Sequence, residues 1–215
     1  MKSLPLCLAF AFAFALAPVS PARAADIRDI HQVYSLTHAR SVRIELPAGD
    51  LTVETIPQHK LRVDLTLKCR SWADNCRERT RNVEIVGGYE GDVFVLKLAN
   101  VPRTNFNGLS LHGTLQVPRD LALDFALGAG DLDLWGIGAD TDVSLGAGDL
   151  TVHLREDDTR SVDMQVGLGE ASLHRRGERI EGRGFLSKSL SWSGSGRAVV
   201  NLHLGVGDVS ARLDE

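Results

Sequence analysis

The sequence predicts an all-β fold, specifically a β-solenoid of short stacked strands joined by glycine-acid corners. Three observations predict it. A short motif of small residues ending in an acid recurs along the chain, apolar residues alternate with period two on both sides of it, and the apolar period of 3.6 residues typical of helices is nearly absent. A two-sheet β-sandwich is the alternative, because the same alternation would also satisfy it.

The repeated motif places two apolar residues five positions apart around a turn of small residues. It occurs at residues 46–51, 127–132, 145–150, 166–171 and 204–209. In an unbroken strand, residues an odd number of positions apart point to opposite faces. Both apolar residues can reach one core only if the chain bends between them, and glycine permits such a bend. Each motif is therefore predicted to be a corner.

The predicted corner residues are small residues and the acids that follow them. They are Gly49, Asp50, Gly128, Gly130, Asp131, Gly146, Gly148, Asp149, Gly167, Gly169, Glu170, Gly205, Gly207 and Asp208. In a stack these acids would lie about 4.8 Å apart. Their repulsion could be relieved by capping of turn N–H groups, the role we expect, or by a bound cation.

The spacing of the corners predicts the order of the coils. The last four acids are separated by 18, 21 and 38 residues, which indicates a repeat of about 19 residues with one missing corner. The coil between Ala171 and Val200 is predicted to have lost its motif, with residues 185–192 in its place. The final coil ends close to the C-terminus, so Val209 to Leu213 is predicted to be an open strand edge for self-association.

The first half of the mature chain is less regular. Alternating apolar residues predict strands at 61–69 and 109–117, and residues 82–98 are typical of a hairpin. A polar stretch around residues 74–81 is the only candidate helix. We expect one domain over 25–215, with an irregular first part (26–118) and GxGD coils (119–215).

The first 24 residues are predicted to be a secretory signal. Lys2 gives a positive start, an apolar stretch follows, and Ala22-Arg23-Ala24 forms a small-x-small cleavage pattern. The stretch is shorter than the roughly 20 residues that span a bilayer. The mature protein is thus expected to be exported, to the periplasm or cell surface of a bacterium, and to have no transmembrane segment.

Two cysteines, Cys69 and Cys76, remain after signal cleavage. An even number in an oxidising compartment predicts a disulfide. On one continuous helix their α-carbons would be about 10 Å apart, too far to be bridged. We therefore place Cys69 at a strand end and Cys76 across a loop or in the first turn of a short helix.

Charge and motifs exclude several functions. The formal net charge of the chain is −4, which argues against a nucleic-acid surface. The glycine motifs lack the third glycine and the helix of a dinucleotide site, and no spacing marks catalytic residues. We expect no cofactor. His153 and His174 would share an outward ladder with Trp135 and Arg212, on adjacent coils, and are weak candidates for a metal site.

The order of these features resembles that of the bacterial putative adhesin family, an exported β-strand-repeat domain of unknown function. The resemblance rests on the signal, the opening strand Val42–Leu46, the turn Gly49-Asp50-Leu51, the strand ending at Val117-Pro118 and the GxGD repeats. It implies a right-handed β-helix-like fold at the cell envelope and assigns no catalytic residue.

The sequence therefore predicts a non-enzymatic, adhesin-like or scaffolding module whose partner is an envelope protein or polysaccharide. One alternative is a carbohydrate-active β-helix enzyme, which would require Asp124, Asp142 or Asp163 to converge with Arg160. Another is an envelope metal-binding protein that uses the two histidines.

Overall fold

A computed structural model describes residues 25–69, 75–100 and 108–214. The predicted signal at 1–24 lies outside the described residues. The all-β prediction is confirmed: the described chain has sixteen strands and, besides them, one helical turn, α1 (Cys76–Arg79), and one 3-10 turn (Glu156–Asp158). The strands are β1 (Ala25–Ser35), β2 (Ser41–Ile56), β3 (Lys60–Cys69), β4 (Glu84–Glu90), β5 (Val93–Ala99), β6 (Leu109–Pro118), β7 (Ala122–Ala129), β8 (Leu132–Ile137), β9 (Thr141–Ala147), β10 (Leu150–Arg155), β11 (Thr159–Leu168), β12 (Ala171–Arg175), β13 (Glu178–Glu181), β14 (Lys188–Ser193), β15 (Ala198–Val206) and β16 (Val209–Asp214).

The strands form two sheets that are connected through the corners. Sheet A has the order β1-β3-β6-β2-β8-β10-β16-β12-β13, and sheet B has the order β4-β5-β2-β7-β9-β15-β11-β14. The long strand β2 contributes its first half to sheet B and its second half to sheet A. All neighbouring strands between β5 and β11 in sheet B, and between β6 and β12 in sheet A, pair in parallel. An antiparallel sandwich does not describe this arrangement.

The motifs bend the chain as the five-residue spacing predicts. Leu127 and Leu132, on either side of one corner, are both buried in the same hydrophobic core. Gly130 between them has φ +121°, in the region that favours glycine. Its α-carbon lies against the backbone of Gly49 in the next coil, where a Cβ would overlap the Gly49 carbonyl oxygen. The corners therefore lie directly on top of one another.

The last coil is not at an edge, and this corrects two predictions. β15 pairs with β9 and β11, and β16 pairs with β10 and β12. Residues 178–193 do not form a degenerate parallel coil, because β13 and β14 run antiparallel to β12 and β11. β14 and β13 pair with one edge of β11 and β12, respectively. The coil that follows, formed by β15 and β16, therefore pairs with the opposite edges of β11 and β12. Val209 to Leu213 therefore has no free edge.

Antiparallel strands also close the other end of the stack. Tyr34 of β1 packs against Phe94 of β5 with ring centroids 5.1 Å apart, and Tyr89 of β4 lies 5.2 Å from the same ring. The Tyr89 hydroxyl donates a hydrogen bond to the Ser35 carbonyl (2.9 Å). Both ends of the stack are thus covered, as repeat architectures require.

Several local expectations for the first half agree with the structure. β4 and β5 form the expected hairpin, which turns at Gly91-Asp92, and β6 ends at Pro118. Cys69 at the end of β3 and Cys76 at the start of α1 form a disulfide with α-carbons 6.0 Å apart. The bond attaches the short helix to the end of β3 in sheet A.

Candidate functional site

The corner acids form a ladder whose carboxylates are used by the protein itself. The order is Asp50, Asp131, Asp149, Asp208 and Glu170. Each backbone N–H donates to the side-chain Oδ1 of the preceding acid, over 3.4, 3.2, 3.2 and 2.9 Å respectively. This is a capping arrangement, in which each carboxylate accepts a hydrogen bond from the backbone N–H of the neighbouring coil rather than from its own turn.

Basic side chains stand at both ends of this ladder. His112 Nδ1 lies 3.1 Å from Asp50 Oδ2 at one end. Arg179 and Lys188 lie 3.4 and 3.8 Å from the Glu170 carboxylate at the other. The described residues contain no group of three histidine, cysteine or acidic side chains placed to hold a metal ion. The hydrogen bonds between coils make the ladder a structural seam.

The outward ladder of sheet A contains the four predicted residues in a different order. Register places His153 opposite Trp135 on one side and Arg212 on the other, and Arg212 opposite His174. The prediction that His153 and His174 lie on adjacent coils is therefore wrong, because the last coil inserts between theirs. The pair of neighbouring imidazoles that motivated a metal site does not form.

Trp135 and His153 form a stacked pair. Their ring centroids are 3.4 Å apart and their planes differ by 8°. The His153 side chain is only 10% exposed, and its Nε2 lies 3.5 Å from Asp133 Oδ1. Burial lowers the pKa of His153, the charge of Arg212 lowers it further, and Asp133 and Asp214 oppose these effects. The neutral imidazole is thus the form that the fold favours.

This burial predicts that His153 makes the protein less stable as pH falls. The unfolded chain keeps a histidine pKa of about 6.5, so below that pH the unfolded state binds more protons than the folded state. With respect to His153, the free energy of unfolding is therefore highest above about pH 6.5. It decreases as pH falls toward the lower pKa that His153 has in the folded protein. Between pH 7.5 and 5.5, the urea concentration at the unfolding midpoint should fall more steeply with decreasing pH for the native protein than for His153→Gln. Equal slopes would contradict this role.

A groove of about 980 Å³ crosses the outer face of sheet B, perpendicular to the strands. One transverse row of outward side chains runs along it, with Ser144 opposite Ala126 on one side and His203 on the other. The complete row, in spatial order, is Lys97, Glu45, Ala126, Ser144, His203, Gln165 and Ser189. The groove thus crosses every parallel strand of sheet B.

The glycines that precede the corners leave the groove open. Gly128, Gly146, Gly205 and Gly167 line it and carry no side chain that could fill it. A Cβ at Gly146 would overlap the Gly128 carbonyl oxygen of the neighbouring coil. The close stacking that requires glycine therefore also exposes backbone along the groove. Sequence reasoning missed this row, although aligning the five motifs would show a small or polar residue directly before the first apolar residue of each.

A row of aspartates runs beside the groove on the same sheet. Asp124 lies opposite Asp142, and Asn201 separates Asp142 from Asp163. The partner of Asp124 is Arg43, whose Nε lies 2.7 Å from Asp124 Oδ2. The aspartates are therefore aligned with one another. Among the described residues, however, Arg160 makes no ion pair with them, so the expected convergence with Arg160 is not observed.

A putative cell adhesion protein from Clostridium sporogenes ATCC 15579 aligns over 87% of this chain and 100% of its own, with 14% identity and a TM-score of 0.51, which shows a shared fold. A putative adhesin from Bacteroides fragilis NCTC 9343 aligns over 86% of this chain and 97% of its own, with 11% identity and a TM-score of 0.25. No match was found among curated proteins.

Among the described residues, no helix has the length and hydrophobicity to cross a bilayer. Residues 26–174 match the family model described as the N-terminal domain of toast_rack, DUF2154. The predicted resemblance to putative adhesins of unknown function is confirmed by this match and by the clostridial structure. The chain belongs to the toast_rack N-terminal domain family.

Proposed function

We propose that this protein is an exported, non-enzymatic, adhesin-like module of the bacterial cell envelope. Its partner, an envelope protein or polysaccharide, would bind along the groove of sheet B. The groove is the observation that carries this proposal, because it is continuous across the stack and its floor is built from paired strands. Such a surface is formed before binding and loses little conformational entropy when a ligand occupies it.

The chemistry of the groove suits an extended chain. Exposed backbone and the hydroxyl of Ser144 offer hydrogen bonds at the spacing of the strands, about 4.8 Å. Lys97 and Lys188 lie at opposite ends, where each is 3.8 Å from a glutamate carboxylate, Glu90 and Glu170 respectively. Export is supported by the predicted signal, and an adhesive role by the name given to the clostridial protein of the same fold.

Replacement of Ser144 by arginine tests the groove. Ser144 is exposed at the centre of the row, so a long charged side chain would block the groove without entering the core. We expect Ser144→Arg to reduce retention of purified protein on fractionated bacterial envelopes, protein and polysaccharide separately, by about tenfold or more. The measurement is the bound fraction at a series of protein concentrations.

Ser191→Arg is the matched control. Ser191 is also an exposed serine in a strand of sheet B, but it does not line the groove. The Ser191→Arg protein should bind as the native protein does. Equal retention of all three proteins would overturn the groove as the binding surface, provided that the two variants unfold at the native temperature.

A glycan-cleaving enzyme is the second candidate, favoured only by the aligned aspartates beside the groove. A carboxylate pair on neighbouring strands falls near the separations that glycosidases use. Shortening of an acidic polysaccharide by the native protein, abolished by Asp142→Asn, would establish this activity and reject the non-enzymatic proposal.

A further inference from the structure

We infer that the outer face of sheet A carries a separate binding surface for an acidic polysaccharide, a polymer of uronic acids. The surface is a transverse row on five consecutive strands, from β8 to β13. It consists of Trp135, His153, Arg212, His174 and Arg179. Four strand intervals give it a length of about 19 Å. It lies on the other sheet from the groove and does not depend on the function proposed there.

Trp135 provides a rigid apolar platform at one end of the row. The residue is 44% exposed, an unusual exposure for a tryptophan on a strand, while one side of its indole stacks on His153. The stack fixes the orientation of the ring before a ligand arrives, so little side-chain entropy is lost on binding. The indole face is electron-rich and apolar, and it suits the C–H face of a pyranose ring.

Arg212 provides the charge that selects an acidic sugar. It is exposed and makes no ion pair with any described residue. Two strand intervals separate it from Trp135, about 10 Å between α-carbons. A guanidinium binds a carboxylate through two parallel hydrogen bonds. A ring on Trp135 and a carboxylate at Arg212 are therefore contacts that one chain can make together.

The acids around this row give the ligand a direction. Glu54 lies opposite Trp135 on the side away from Arg212, where the Gln116 amide donates to it over 3.1 Å. Asp133 lies beside His153, and Asp214 lies one position further along the same strand face as Arg212. A polyanion is thus repelled at Glu54 and attracted toward Arg212, whereas Arg179 at the far end of the row is already paired with Glu170 and Glu181, each at 3.4 Å. We expect it to extend from Trp135 to Arg212.

Hydroxyl groups run beside the row. Thr151 and Ser210, both partly exposed, occupy the next outward positions on the same strands. They can donate to and accept from sugar hydroxyls along the path of the ligand. A flat face with an aromatic ring, an uncompensated guanidinium and a line of hydroxyls matches an acidic sugar polymer better than an apolar peptide.

Calorimetric titration of the purified protein with a short oligogalacturonate tests the inference, with a maltooligosaccharide of equal length as the neutral probe. We expect the oligogalacturonate alone to bind. Arg212→Gln should weaken its binding about tenfold, the loss of one charge-assisted contact. Arg212→Glu and Trp135→Ala should weaken it at least as much. Arg197→Gln, at an exposed arginine outside the row, should bind as the native protein does.

Three results would overturn the inference. These are no binding of oligogalacturonate, equal binding by native and Arg212→Gln proteins, or equally tight binding of a single-stranded oligonucleotide, which would indicate a general polyanion surface. Ser144→Arg separates the two proposals, since it should weaken groove binding by about tenfold or more and leave the titration unchanged. Thermal unfolding of each variant confirms that the fold is retained.

Discussion

Removal of the last coil, by ending the chain after Ser195, is expected to prevent folding of the whole protein. β15 and β16 lie between two earlier coils, so their loss leaves β9, β10, β11 and β12 each without one partner strand. It also removes seven residues from the core: Ala198, Val200, Leu202, Leu204, Val209, Ala211 and Leu213. The five larger ones alone contribute about 8–15 kcal/mol at about 1.5–3 kcal/mol each. That equals the usual stability of a domain, about 5–15 kcal/mol.

Circular dichroism and thermal unfolding measure this effect. The shortened protein should show no cooperative transition, whereas a chain that lacks only Glu215 should unfold as the native protein does. A synthetic peptide of residues 196–215 should restore a cooperative transition, because it supplies the missing strands. A shortened protein with a native-like transition would show that the coils on either side can pair without the insertion.

Gly148→Ala is expected to destabilise the protein by about 2–6 kcal/mol. Gly148 has φ +133°, and a Cβ there would overlap the carbonyl oxygen of Gly130 in the adjacent coil. A strained backbone costs about 1–3 kcal/mol, and forcing extra atoms into a packed site costs about the same again. Chemical denaturation should show a lower midpoint with an unchanged slope.

Other glycines separate the two causes. Gly146→Ala adds only the overlap, since its φ is not in the positive region and its Cβ would meet the Gly128 carbonyl oxygen. Gly177→Ala adds only the strain, because Gly177 has φ +80° and no atom lies within 4 Å of its Cβ position. Gly88→Ala adds neither and should change stability by less than about 0.5 kcal/mol. A Gly148→Ala effect no larger than that of Gly88→Ala would refute the stacked-corner account.

The sequence determines the coils themselves. Alternation of period two identifies the residues that face the core, such as Leu127, and the five-residue spacing across the corner requires the bend that brings Leu132 to the same side. The position of Cys69 at a strand end likewise places it within reach of Cys76. These features are local, because they depend on backbone geometry over a few residues.

Only the tertiary structure decides which coil lies next to which. The corners share one geometry, so any coil can form hydrogen bonds with any other in the same register, and the local pattern does not encode their order. The order is set where β13 and β14 turn antiparallel and leave the final coil its place between two earlier ones. That insertion puts Arg212 between His153 and His174, and His203 between Ser144 and Gln165. Both surfaces proposed to bind ligands therefore arise from contacts between residues distant in the chain.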